Sequence, residues 1–62
     1  MTITLTDKDG VRFDVDTRLI DEVNSSPKGT EIVLGDGERI SCTESVLYVM
    51  QSIVRAEYGG AI

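Results

Sequence analysis

Few side chains in this sequence are of a type that does chemistry: Cys42, the acidic pairs Asp7/Asp9 and Asp14/Asp16, and six Lys and Arg residues. Histidine is absent, which excludes the usual zinc ligand sets and any Ser-His or Cys-His nucleophile pair. Cys42 is the one cysteine, so no disulfide closes within the chain. Among apolar neighbours it reads as a small core residue, and a lone thiol suits a reducing compartment. Asp7-Lys8-Asp9-Gly10 opens like a calcium loop, but Val11 falls on the next ligand position and no Glu closes the loop. It reads as a hairpin turn. Asp14 and Asp16 share one face of a strand. A catalytic carboxylate pair needs one pKa raised by a low-dielectric pocket, and an outward strand face is wet. Gly35-Asp36-Gly37 lacks the following helix that a phosphate cradle requires. No catalytic, cofactor-binding or metal-ligating residue emerges, and the expectation is a protein that is not an enzyme.

Charge narrows the partners. Eleven acidic residues stand against 6 basic ones, a net charge of −5 in 62 residues. Nucleic-acid affinity comes largely from Lys and Arg that neutralise phosphates, so neither nucleic acid nor an anionic lipid surface is an expected partner. No apolar run approaches the roughly 18 residues of a membrane span, and the start lacks the basic and long apolar regions of a leader. No direct membrane insertion is expected, and the chain reads as cytoplasmic. A small anionic ligand would have to be held by Arg12, Arg18, Lys28, Arg39 and Arg55.

The elements follow from periodicity. Ile3 and Leu5, then Val11, Phe13 and Val15, alternate with polar residues about the Asp7–Gly10 turn, which is a hairpin. Leu19, Ile20 and Val23 mark a third strand, bulged so that Leu19 and Ile20 both face inward. Residues 24–29, with Pro27, form a loop. Ile32 and Leu34, then Ile40 and Cys42, flank a two-residue hairpin at Gly35–Gly37 in which Gly37 takes a positive φ. At Thr43 the period changes to 3.6. Thr43 caps a helix, although Ser41 and Glu44 also fit a capping box two residues earlier. Gly59-Gly60 ends it, and 59–62 form a frayed tail. The sum is one α+β domain over residues 1–62: a small, twisted, mainly antiparallel sheet of about five strands with one C-terminal helix. Phe13, Ile20, Leu34, Ile40, Val46, Val49 and Ile53 are the expected cluster between sheet and helix.

That helix carries more apolar surface than one sheet covers. Val46, Val49 and Ile53 form one stripe; Leu47, Met50, Val54 and Tyr58 form a second, about 100° away. Either the second stripe meets another chain, or the helix is wrapped more deeply, with Leu47 under the first hairpin.

With the turns placed, the pattern resembles the FlbD family of short flagellar proteins, which includes the swarming motility protein SwrD. The matching residues are Ile3, Leu5, Thr6, Gly10, Phe13, Val15, Leu19, Ile20, Pro27, Ile32, Leu34 and Gly37, with "E-S-V" at Glu44, Ser45 and Val46, spanning roughly residues 3–55. The resemblance implies a non-enzymatic accessory of flagellar motility that acts by protein–protein contact, with no active-site residues to carry over. From the residues themselves, a homo-oligomer held by the second helix stripe is expected. The alternative is a small oligomeric binding or inhibitor protein, phage-encoded in one version, that captures a host protein or an anionic ligand between its subunits.

Overall fold

Two tight turns of the same design organise the strands. Asp7 N–H donates to Val11 O (2.9 Å) and Gly10 N–H to Asp7 O (3.0 Å). Likewise Leu34 N–H donates to Glu38 O (2.8 Å) and Gly37 N–H to Leu34 O (2.9 Å). Each is a three-residue loop closed by a left-handed glycine. Asp7 and Asp36 carboxylates accept the turn amides of Asp9 (2.8 Å) and Glu38 (2.9 Å). The second loop is thus Gly35-Asp36-Gly37, one residue longer than expected, because Leu34 rather than Gly35 pairs across to Glu38. Gly37 does hold a positive φ, +91°.

The computed structural model describes residues 1–58; the expected frayed tail and the Gly59-Gly60 stop lie outside them. The chain runs β1 (Thr2–Thr6), β2 (Arg12–Asp16), a 3-10 turn (Thr17–Leu19), β3 (Ile20–Ser26), β4 (Gly29–Leu34), β5 (Arg39–Cys42) and α1 (Val46–Tyr58). All strand pairs are antiparallel. This is the small α+β fold that the periodicity predicts. Its five strands divide into a two-stranded sheet, β1-β2, and a three-stranded sheet with β4 in the middle.

Between β2 and β3, Asp16 Oδ1 accepts the N–H of Arg18 (3.0 Å) and opens the 3-10 turn. Leu19 is taken up in that turn and is 56% exposed, so the expectation that it faces inward beside Ile20 is corrected. The irregularity itself is present, as a register shift between Ile20 and Glu22. β3 then continues through residues 24–26, and the expected loop contracts to Pro27-Lys28 between paired Ser26 and Gly29. Gly29 has φ +145°, and a Cβ there would lie 2.4 Å from Cys42 O. The sharp turn exists because its last residue has no side chain.

The two sheets meet at one corner. Thr43 N–H donates to Thr6 O (2.8 Å), and the Glu44 carboxylate accepts the N–H of Thr6 (2.9 Å). Thr43 and Glu44 therefore clasp β1 to the end of β5 and do not open the helix. The cap is Ser45, whose Oγ accepts the N–H of Tyr48 (3.1 Å). A helix begun at Thr43 would forfeit the clasp.

Helix α1 packs on β1, β3, β4 and the 3-10 turn. The centre of the core is Ile3, Leu5, Val15, Ile32, Cys42 and Val49. Of the seven expected core residues, Val49 alone is fully enclosed. Phe13, Ile20, Leu34, Ile40 and Ile53 pack half-buried around the centre, and Val46 is half-buried at its rim. The centre draws on β1, β2, β4, β5 and α1 together, so it lies where the two sheets and the helix meet and not under the helix alone.

Candidate functional site

The outer face of α1 is set by what fixes the inner one. Val49 is wholly buried, and Ile53 and Ala56 pack against the core. Polar anchors then lock the rotation at both ends. Thr30 Oγ1 donates to Glu44 O just before the helix (2.8 Å), and Thr17 Oγ1 reaches Glu57 Oε1 in the last turn (3.0 Å). Both threonines are buried, and no buried side-chain nitrogen or oxygen among the described residues lacks a partner.

With that rotation fixed, the second stripe faces away from both sheets. Leu47 is 66% exposed, Met50 48%, Val54 54% and Tyr58 69%. At 100° per residue the four fall within about 80° of one another, roughly opposite Val49. Met50, turned furthest towards the sheets, is the least exposed. Leu47 does not lie under the first hairpin, so the more deeply wrapped helix is excluded. Tyr48, 50% exposed, extends the apolar surface to one side.

The five candidate anion contacts are scattered. Arg18 holds Asp16 through two hydrogen bonds (3.0 and 3.3 Å), and these pull the Asp16 carboxyl down to about 2. Arg39 pairs with Glu31 at 3.2 Å. Arg12 lies exposed on β2, and Arg55 exposed on α1. Lys28 differs: at the Pro27 turn it borders a cleft of about 360 Å³ together with Lys8, Ser26, Ser41 and Thr43. The fold brings Lys8, from the other hairpin turn, to the edge of the same cleft as Lys28. Lys8 is not among the five cations expected from the sequence; twenty residues separate it from Lys28, and the clasp at Thr43 draws their turns together.

The acidic pairs are engaged singly. Asp14 accepts from Thr4 Oγ1 (2.8 Å) and Asp16 from Arg18. Among the described residues no group of three or more Cys, Asp or Glu is placed to hold a metal ion, and no helix is long and apolar enough to cross a membrane. Cys42 is buried, and burial followed by the nearby Glu44 charge pushes its thiol up. For Glu44, burial acts to raise the carboxyl, but the hydrogen bonds from Thr6 outweigh it and the net shift is downward.

Compared with family models, curated proteins and solved structures, the chain matches none. The residues that resemble the FlbD pattern have local duties in this fold. Ile3, Leu5, Val15 and Ile32 are core, and Gly10 and Gly37 close turns. Of "E-S-V", Glu44 forms the clasp and Ser45 the helix cap.

Proposed function

We propose that this chain is a non-enzymatic contact protein whose working surface is the outer face of α1. One observation carries the reading: four apolar side chains, each about half exposed or more, stand on the side of a rotationally locked helix that faces away from both sheets. Covering Leu47 and Val54 alone is worth about 2–4 kcal/mol at their present exposure. That compares with roughly 3–9 kcal/mol for the whole stability of a chain this short. The resemblance to FlbD proteins supports flagellar motility as the setting, with the cytoplasm as the compartment.

The test pairs folding with motility. Leu47→Asp and Val54→Asp, made together, should leave the circular dichroism spectrum unchanged. In a motile host that carries the gene, the same variant should swarm no better than a deletion. A folded variant with full motility overturns the helix face as the working surface. A variant that unfolds shows the stripe to be core, and a deletion that swarms normally removes the flagellar setting.

A second reading, capture of a small anion, draws on the cleft that joins Lys8 to Lys28. Titration with inorganic phosphate should then shift the amide resonances of Lys8, Lys28 and Ser41 together. Unmoved resonances at millimolar phosphate count against it.

A further inference from the structure

The stripe Leu47, Met50, Val54, Tyr58 has spacings of three, four and four, and so reads almost the same from either end. The two inner positions sum to 104 and the two outer ones to 105. Under a two-fold axis at its midpoint such a stripe sets apolar residue against apolar residue in reciprocal pairs, the arrangement of an isologous contact between identical chains. We propose that α1 docks antiparallel on α1 of a second copy about an axis near residue 52, Leu47 meeting Tyr58 and Met50 meeting Val54, twice each. This rests on the reading of the outer helix face as the working surface, and it names that surface's partner as the chain itself.

The charges and the area agree with this arrangement. Two copies of an acidic protein repel, so a self-contact must keep carboxylates apart. On the antiparallel pair, Glu57 lies about 14 Å along the axis from its counterpart, beyond the Debye length at physiological salt. Glu57 is also drawn inward by Thr17. On the other flank the uncharged Gln51 borders the stripe. A parallel pair would align the two helix dipoles and stack each residue on itself, whereas antiparallel helices place opposite ends together. The stripe offers on the order of 500 Å² per copy, about 1,000 Å² in all, at the lower edge of specific interfaces. The dimer should accordingly be one of micromolar affinity.

Light scattering comes first: the parent should pass from monomer to dimer as concentration rises. A chain that stays monomeric up to about 100 µM, well above the micromolar range such an interface supports, overturns the self-contact. The motility test of the helix face would be unaffected, because a different protein could still dock there. Cysteine cross-linking then tests the geometry. Leu47→Cys alone and Tyr58→Cys alone should give no disulfide dimer, since like positions lie about 16 Å apart along the axis. An equimolar mixture of the two should cross-link under mild oxidation. Cross-links from each variant alone, with none specific to the mixture, would mean parallel pairing and overturn the proposal. The parent, whose native Cys42 is buried, supplies the blank.

Discussion

Replacing Gly29 by Ala adds one methyl group and should be among the most damaging single changes this chain can suffer. The added Cβ would lie 2.4 Å from Cys42 O, 2.9 Å from Thr43 C and 3.0 Å from Thr43 Cα. These are backbone atoms, so no side chain can swing aside. The obstructing segment is itself held, by Thr43 N–H on Thr6 O at 2.8 Å. Relief therefore requires the Pro27-Lys28 turn to back away from β5 or the clasp to open. Overpacking of this kind costs about 1–3 kcal/mol, and a φ of +145° adds about 1–3 kcal/mol for a residue with a side chain. The sum, about 2–6 kcal/mol, is most of the roughly 3–9 kcal/mol available to a 62-residue chain. Gly37→Ala is the internal control. Its φ is also positive, +91°, but a Cβ there meets nothing within 4 Å, so only the backbone cost of about 1–2 kcal/mol applies. Urea unfolding of parent, Gly29→Ala and Gly37→Ala, followed by circular dichroism at 222 nm, separates the two contributions. Equal losses in the two variants would refute the close approach of the β3–β4 turn to β5.

The Glu44 clasp gives a pH signature. Its carboxyl titrates below the ordinary 4.5 in the folded chain, so the stability it adds is fully present above that value and is lost as the pH falls through the lowered one. Glu44→Ala should cost about 1–3 kcal/mol at pH 7, as a charged hydrogen bond is lost. Glu44→Gln should lie nearer the parent, with its deficit in urea midpoints shrinking as the pH falls below 4.5 and vanishing once the folded carboxyl is protonated; a deficit that persists in acid points to packing instead of charge. In the core, Leu5→Ala should cost about 2–5 kcal/mol, because Leu5 is wholly buried. Phe13→Ala should cost less than the usual 3–5 kcal/mol for a buried aromatic, and thermal melts that reverse this order would shift the core back towards β2.

How legible these features were depended on how local their causes are. Each glycine turn is closed by atoms within five residues, so Asp7–Gly10 and Gly35–Gly37 announce themselves. The outer helix stripe was readable for the same reason, as its angular position is set by helical periodicity and needs only one buried face as reference. Thr43 and Ser45 both have the chemistry of a cap, and what decides between them is Thr6, 37 residues away. Leu19 looked like core because its neighbours do, but Asp16 draws the Arg18 amide into a turn and carries Leu19 out. Gly29 gave no signal, since its neighbour across space is the backbone of Cys42. That Lys8 and Lys28 border one cleft likewise follows from the clasp and from neither residue's surroundings in the chain.

The clasp also governs the chemistry of the one thiol. Cys42 ends β5 immediately before the Thr43–Thr6 bond and is 3% exposed. A thiol so enclosed reacts with a soluble oxidant or alkylating agent only after the strand end lifts away, and its raised pKa keeps the thiolate scarce until then. Its rate of modification is thus the product of a local opening equilibrium and the intrinsic reactivity of a free cysteine. The sulfur acts as a clock for the parting of the two sheets. Whatever makes that parting less favourable shields this thiol from oxidation without touching the sulfur.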